Sequence, residues 1–199
     1  MSRPIQYDLD AVTDKALAVF WRQGFTGSSV DQLIDATGLN KHSLYKTFNG
    51  KNGLFRRCLQ RYIDTEAQPF LALLENNSGL TALSCYFDAL CKPAKSAGGY
   101  GCLIANTAIE LGADHAVSST VVKRYYRQLA TLLSRAIEQG QATDEISKDI
   151  DAAAIAAWLV HMVQGLAISH RCHTPLPHSA DTLLSLITAA TSPAFDNTH

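Results

Sequence analysis

The sequence contains no apolar run as long as the roughly 18–20 residues that a helix needs to cross a bilayer. Its first ten residues lack the apolar core of a secretion signal. Its five cysteines are an odd number and include no Cys-X-X-Cys pair, which argues against a disulfide framework. We therefore expect a protein of the reducing cytoplasm with no membrane partner.

Alternation of apolar and polar residues, the pattern of a half-buried strand, is absent as well, and so are internal repeats and low-complexity tracts. Almost every periodic segment has helical spacing instead. The 199 residues, 47% of them hydrophobic, are enough to bury a proper core. The sequence predicts an all-α protein.

Charge is distributed unevenly along the chain. Residues 1–62 hold nine Lys or Arg against five Asp or Glu, a net charge of +4. The remaining residues hold eight against thirteen, a net charge of −5. A basic N-terminal part attached to an acidic body is typical of a protein whose N-terminal part contacts phosphates.

Two helices are predicted first in the basic part. The first ends at Gly24 and carries an apolar stripe that consists of Leu9, Val12, Ala16, Val19 and Phe20. Ser29 followed by Gln32 fits a capping box, so we expect a second helix over residues 30–36.

A tight turn at Gly38 leads to a third helix, which Asn40 can cap and which runs to about Thr47. A fourth helix opens at Lys51, and Pro69 is expected to kink or end it.

The third helix has the size and chemistry to enter a DNA major groove. If apolar side chains on both sides of the turn close a small core, a polar set faces outward: Lys41, His42, Ser43, Tyr45 and Lys46. Lys, His and Ser can reach base edges, and a Tyr hydroxyl or a Lys ammonium suits phosphate oxygens. This surface predicts double-stranded DNA as a partner.

Residues 24–48 together with residues 51–55 resemble the N-terminal signature of the TetR/AcrR family of bacterial transcriptional regulators. The resemblance implies a helix-turn-helix DNA-binding domain over 1–50 and a larger helical effector-binding and dimerisation domain over 51–199. It implies a repressor that binds a palindromic operator as a homodimer and is released by a small-molecule effector, although activation stays open. No cofactor is expected.

The resemblance also implies roles for individual residues. Lys41, His42 and Ser43 fall where the recognition helix approaches bases, and Tyr45 and Lys51 fall where phosphates are held. Either Ser28 or Ser29 would bind a further phosphate at the start of the second helix. His42 replaces a small residue of the family, and Asn-Gly at 49–50 replaces its more usual Pro-Ser, which predicts a looser entry to the fourth helix.

Further helices are predicted near 80–92, 102–111, 151–170 and 178–191, with a long helix between the second and third of these. The last two are candidates for the dimer interface through Leu159, Met162, Val163, Leu166, Leu183, Leu184 and Ile187. The middle helices would form the effector chamber, which the family resemblance places around Tyr86, Phe87, Leu90, Ile104, Tyr125, Tyr126 and Trp158. Trp158 could equally belong to the interface, and Glu110 or Arg127 could orient a polar effector.

Residues 99–111 resemble a segment of a TetR subgroup that includes regulators responding to oxidants or electrophiles through cysteine. Cys102 follows a Gly-rich break, and the positive end of a helix would favour its reactive thiolate. The alternative for Cys102 is a small residue that is simply packed in the core.

Two further function classes remain as alternatives. One is an enzyme with Cys102 as nucleophile and His115 as base, and the other is a helical carrier without DNA affinity. His170, Cys172, His173 and His178 have no recognised ligand spacing, so no metal site is predicted.

Overall fold

The computed structural model describes residues 7–92, 99–112, 114–116 and 118–189. The regular structure of these residues is helical, which confirms the predicted all-α fold. The helices follow one another in this order: α1 Leu9–Gln23, α2 Val30–Thr37, α3 Lys41–Phe48, α4 Gly50–Tyr62, a π-helical turn Ile63–Ala67, α5 Gln68–Glu75, α6 Gly79–Cys91, α7 Leu103–Leu111, a π-helical turn Ser118–Val122, α8 Lys123–Ala142, α9 Ala152–Cys172 and α10 Asp181–Ala189. Residues 190 and 191 of the last predicted helix, and residue 98 of the Gly-rich break, lie outside the described residues.

The helices pack in two units. The first joins residues 1–67 to residues 95–125, and in it α1 packs on α2 and α4, while α4 also contacts α3 and α7. The second joins residues 68–94 to residues 126–199, and in it α6 contacts α5, α9 and α10. The division into a DNA-binding part before residue 51 and an effector-binding part after it remains a functional prediction.

Aromatic rings fill the core of the first unit. The rings of Phe20 and Phe55 meet edge to face with centroids 4.8 Å apart, and those of Trp21 and Tyr62 do so at 4.9 Å. Cys58 lies between α4 and α1 with no exposed surface, and burial raises the pKa of its thiol. Because α1 and α4 share this apolar contact, they hold each other in place beneath the two shorter helices.

Arginines of α4 form ion pairs with aspartates of α1 at the surface of the same unit. Arg57 Nη2 lies 3.1 Å from Asp10 Oδ1, and Arg61 Nε lies 2.8 Å from Asp14 Oδ1. Exposed pairs of this kind contribute at most about 1 kcal/mol each. Their main consequence is electrostatic: Arg57 and Arg61 are already paired within the chain, so these two cations of the basic part are partly neutralised.

Pro69 was expected to kink or end the fourth helix, and the regular α-helix stops a few residues before it. Helix α4 ends at Tyr62, and the π-helical turn that follows leads directly into α5, whose second residue is Pro69. Proline has no N–H with which to continue the regular hydrogen-bond pattern of an α-helix, and the π-helical turn lies just before it.

Gly53, in the first turn of α4, allows the end of α3 to approach very closely. A Cβ atom built on Gly53 would overlap the backbone carbonyl oxygen of Phe48. The obstacle is backbone rather than a flexible side chain, so a side chain could be accommodated only by moving α3 away from α4.

Replacing Gly53 with Ala should therefore lower the free energy of unfolding by about 3 kcal/mol, the upper range for overpacking. Urea unfolding followed by circular dichroism, at a fixed protein concentration, measures the change. Asn52→Ala is the matched control, because Asn52 is exposed in the same turn and should change stability by no more than about 0.5 kcal/mol. Equal stability of the two variants would contradict the close approach.

Candidate nucleic-acid interface

Local hydrogen bonds define both ends of the α2–turn–α3 segment. Ser29 Oγ accepts from the Gln32 amide at 3.1 Å while Gln32 Oε1 accepts from the Ser29 amide at 2.8 Å, so the predicted capping box is present. Gly38 ends α2 in the left-handed region with φ 74°. Asn40 Oδ1 then accepts from the Ser43 amide at 2.8 Å and caps α3. The segment is a helix-turn-helix.

One buried leucine fixes the orientation of α3. Leu44 is only 1% exposed, and Leu33 of α2 and Leu39 of the turn are equally buried. The opposite face is open to solvent, where Lys41, His42, Tyr45 and Lys46 are exposed and Ser43 is half-buried. Among the described residues, no ion pair involves Lys41 or Lys46. The face keeps its positive charge available for a partner.

The Tyr45 ring lies against the first residue of α4. A Cβ atom on Gly50 would be 3.1 Å from Tyr45 Cε1, and Gly50 has φ 83°, so both its backbone and its neighbour require glycine. The tyrosine is 53% exposed. Its ring is therefore supported on one side while its hydroxyl end remains accessible.

Lys51 lies in the first turn of α4, over the ring of Phe25. Its Nζ is 4.3 Å from the ring centroid, a cation–π geometry. Partial burial lowers the pKa of Lys51, and the charge of Glu110 acts in the opposite direction. The contact that positions this ammonium is therefore the one with the Phe25 ring.

Ser28 does not meet the expectation of a phosphate ligand. It has no exposed surface, and its hydroxyl donates to the Gly24 carbonyl at 2.6 Å. Ser29 is exposed, but its hydroxyl already caps α2. At the start of α2 only Ser29 and the backbone amides near it remain accessible to an anion.

Comparison with known proteins gives this surface a family context. Residues 12–58 match the family model of bacterial regulatory proteins of the tetR family, and residues 79–181 match that of the tetracyclin repressor-like C-terminal domain. The transcriptional repressor ComR of Escherichia coli K12 is 37% identical over 174 residues, which cover 85% of this chain and 82% of ComR. The chain belongs to the TetR family of bacterial transcriptional regulators. DhaR of Mycobacterium sp. GP1, also a repressor, is 27% identical over 94% of this chain and 93% of DhaR.

Solved structures of TetR-family proteins have the same fold. A cysteine mutant of CifR in complex with 26-bp double-strand operator DNA has a TM-score of 0.76 at 22% identity, covering 95% of this chain and 97% of CifR. The reduced form of E. coli NemR has the same TM-score at 18% identity, covering 94% of this chain and 98% of NemR. The fold therefore agrees with the family models and repressor relatives, which identify this chain as a DNA-binding regulator of the helix-turn-helix type.

The residues expected around an effector differ in burial. Tyr86 and Phe87 of α6 are buried in the second unit with ring centroids 5.3 Å apart, and Ile104 and Tyr125 are buried in the first. Leu90 and Tyr126 are half-buried. Trp158 differs from the expectation of a chamber wall, because it is 70% exposed on α9 and its ring contacts only that of His161 among the rings described here.

Cys102 immediately precedes α7 and lies beside a buried tyrosine. The pKa of Tyr62 lies well above its usual value, mainly because the side chain is buried. The interaction of Tyr62 with the Cys102 thiol raises this pKa further. The indole N–H of Trp21 donates to the neighbouring Gly101 carbonyl at 2.7 Å. The contact between Tyr62 and Cys102 was not predicted, since the 40 positions that separate the two residues leave no local signal in the sequence.

Glu110 does not orient an effector as the sequence suggested. Its two carboxylate oxygens accept from the backbone amides of Phe25 and Thr26 instead. His115, considered as a base for Cys102, packs its ring against Phe25 at 5.2 Å, and no hydrogen bond among the described residues joins it to Cys102.

The predicted interface residues divide into a buried and an exposed set. Leu159 and Ile187 are 2% and 6% exposed, so they face the core of their own chain and not a partner. Val163, Leu166, Leu183 and Leu184 are half-buried, and Met162 is 43% exposed. Further apolar side chains are exposed on the same two helices but were not predicted for this face: Trp158, Ile168 and Leu186.

Helix α9 corrects the expectation that no segment is apolar enough to span a membrane. It passes that test by length and composition, because its few polar residues interrupt every apolar run without making the helix polar. Only 22% of its most apolar stretch is buried within the chain. A single such helix is weak support for a membrane span, but its apolar face does require a cover.

The histidines near the C-terminal loop form no metal cluster. Within the described part of the chain, no group of three or more His, Cys, Asp or Glu side chains is placed to hold an ion. His170 Nε2 lies 2.8 Å from the Leu90 carbonyl, whereas Cys172, His173 and His178 are exposed.

Proposed function

We propose that this TetR-family regulator is a homodimeric transcriptional repressor that binds a palindromic operator through α3 and is released by a small-molecule effector. The observation that carries the proposal is the buried Leu44 with an open polar face opposite it. Lys41, His42 and Ser43 would contact base edges. Tyr45, Lys46, Lys51 and Ser29 would contact backbone phosphates.

Two copies are required because α3 alone is too short for a specific site. Its eight residues span about 12 Å, which covers only a few base pairs. A two-fold dimer doubles the contacts and places the second α3 one helical turn of DNA away. The 26-bp operator in the CifR complex contains about two and a half turns, enough for two such half-sites.

The exposed face of α9 and α10 is the surface that we assign to dimerisation. Trp158, Met162 and Ile168 of α9 and Leu186 of α10 are large apolar side chains with 43–70% exposure. Packed against a second copy, they would be removed from water, and each Å² of apolar surface buried in this way would stabilise the dimer by about 25 cal/mol. This cover would also account for the apolar composition of α9.

Effector release would follow from differential binding. Within the second unit, the effector chamber proposed from the family resemblance would include Tyr86, Phe87, Leu90 and Tyr126. An effector that prefers the conformation in which the two α3 helices no longer fit successive grooves lowers operator affinity by the ratio of its affinities for the two conformations.

A thiol signal through Cys102 is a second candidate, because the thiol is paired with buried Tyr62 at the start of α7. Alkylation of Cys102 would replace the thiol hydrogen with a bulky group and break its contact with Tyr62. Since the same helix carries Glu110, the displacement would reach the α1–α2 turn. We assign no catalytic role to Cys102 or His115.

The DNA contacts are tested with an operator taken from the region upstream of the protein's own gene. Lys41→Ala should lower the affinity for the operator at least about tenfold and weaken its preference over unrelated DNA, because base contacts specify. Lys46→Ala should weaken binding to both and reduce the salt dependence by about one counterion. Fluorescence anisotropy across a salt series measures both effects.

Lys148→Ala is the control for these lysines, because Lys148 is an exposed lysine of the second unit that is paired with Asp144 at 2.7 Å. It should bind like the wild type. A wild-type protein without a salt-sensitive specific complex, or Lys41→Ala and Lys46→Ala variants with wild-type binding, would refute the proposed function.

The dimer surface is tested by Met162→Glu. Two-fold symmetry places the new carboxylate in the interface twice, and leaving a charge buried without a partner costs about 3–5 kcal/mol. The dimer dissociation constant should therefore rise more than about a hundredfold in sedimentation equilibrium. Ile109→Glu, the same change at a 68% exposed site on α7, should leave the dimer intact. A dimeric Met162→Glu would assign dimerisation to another face.

The thiol signal is tested by alkylation with N-ethylmaleimide. Treated wild-type protein should lose at least about tenfold in operator affinity, and Cys102→Ser should lose none under the same treatment. Cys172→Ser is the control, since Cys172 is exposed and its removal should leave the response unchanged. If the alkylated wild type binds the operator as before, Cys102 is a packing residue only.

A further inference from the structure

A single carboxylate joins α7 to the turn that precedes α2. Glu110, in the last turn of α7, accepts from the Phe25 amide through Oε2 at 2.9 Å and from the Thr26 amide through Oε1. Hydrogen bonds to an ionised acceptor are about twice as strong as neutral ones. Two consecutive backbone amides with one carboxylate on them therefore form a firm attachment between parts of the chain that are 85 residues apart.

The residue held in this way also supports the DNA-binding surface. The Phe25 ring lies under Lys51 Nζ at 4.3 Å and packs against Phe55 at 5.0 Å. Glu110 fixes the Phe25 backbone, and the Phe25 ring fixes the ammonium of Lys51. The position of a proposed phosphate contact thus depends on a carboxylate of α7.

The same turn is hydrogen-bonded up to the residue that caps α2. Ser28 Oγ donates to the Gly24 carbonyl, which closes the turn on itself, and the next residue, Ser29, caps α2. A shift of Phe25 or Thr26 would therefore be passed on to the N-terminus of α2, which begins at Val30.

The other end of α7 is attached to α1 as well. Trp21 Nε1 donates to the Gly101 carbonyl, two residues before α7 begins, and the Trp21 ring meets Tyr62 edge to face. All of these residues belong to the first unit. Because α7 is attached to α1 at one end and to the α1–α2 turn at the other, a movement of α7 would displace α1 or the turn.

We infer that Glu110 is a positioning residue for operator binding: its carboxylate holds the Phe25–Thr26 turn where Lys51 and the start of α2 meet the DNA backbone. The inference rests on the proposed function. The negative charge of Glu110 by itself weakens the attraction between this surface and DNA. Its hydrogen bonds to Phe25 and Thr26, in contrast, favour binding because they hold the DNA-contacting residues in position. Removing the carboxylate should therefore raise DNA affinity if its charge dominates and lower DNA affinity if its positioning role dominates.

The decisive variant is Glu110→Gln, which keeps the length of the side chain but offers one acceptor oxygen and no charge. Positioning predicts that affinity for the operator falls about tenfold, from the loss of a charged hydrogen bond, and that affinity for unrelated duplex DNA falls as well, because the contacts that Glu110 positions are to phosphates. Loss of the negative charge alone predicts tighter binding to both duplexes. The two duplexes are an operator selected from a random library by the wild-type protein and a scrambled duplex of equal length. Equal or tighter operator binding by Glu110→Gln overturns the inference.

Glu110→Asp supplies a second, independent variant. It keeps the charge but is one methylene shorter, so it cannot reach both amides from the same helix position. Positioning predicts weaker operator binding here too, whereas an effect of charge alone predicts none. Wild-type binding by Glu110→Asp would overturn the inference even if Glu110→Gln were poorly folded.

Amide hydrogen exchange followed by NMR separates positioning from a loss of stability. The Phe25 and Thr26 amides should exchange at least about tenfold faster in Glu110→Gln, while the amides of α8 keep their wild-type rates. Faster exchange throughout the protein would show a purely structural role. Glu138→Gln, the same charge change on exposed α8, should alter neither exchange nor binding. If the wild type selects no duplex from the library, the proposed function itself fails. If the wild type selects an operator and Glu110→Gln binds it normally, only the inference about Glu110 fails.

Discussion

Burial of Leu44 is the constraint on which the DNA-binding surface depends. Helix α3 has eight residues, little more than two turns, so one side chain anchored in the core decides which side chains face outward. Burying a leucine contributes about 1.5–3 kcal/mol, more than any exposed ion pair at the surface of this unit can contribute. An apolar contact therefore sets the orientation of a polar surface, and the lysines and the tyrosine on it need no partners within the chain to stay in place.

The parts of this surface that could be predicted from the sequence are those decided within four residues. The capping box of Ser29 and Gln32, the turn at Gly38 and the Asn40 cap each satisfy backbone groups a few positions away, so composition and spacing were sufficient. Ser28 could not be separated from Ser29 by the family resemblance alone. The difference lies in the preceding turn, where the Ser28 hydroxyl reaches back to the Gly24 carbonyl and leaves solvent.

Periodicity was informative but incomplete for α9 and α10. It identified apolar helices, but it could not say whether a given apolar face meets the same chain or something else. Leu159 and Met162 are only three residues apart on α9, and yet one is buried and the other is exposed. That assignment depends on where α6 crosses α9, which is a tertiary contact with no counterpart in the local pattern.

The contacts beyond prediction are those between residues far apart in sequence, and they are also the ones that link α7 to the helix-turn-helix. The three hydrogen bonds that connect α7 and the residues before it to α1 and its following turn span 80, 85 and 84 residues. A carboxylate that lies against the basic part of a DNA-binding protein weakens the attraction to phosphate, so its contribution to operator binding has to come from geometry. Here the gain is a defined position for Phe25, on whose ring the Lys51 ammonium rests. Any signal that moves α7 then has a short physical route to the DNA contacts, through two backbone amides and one aromatic ring.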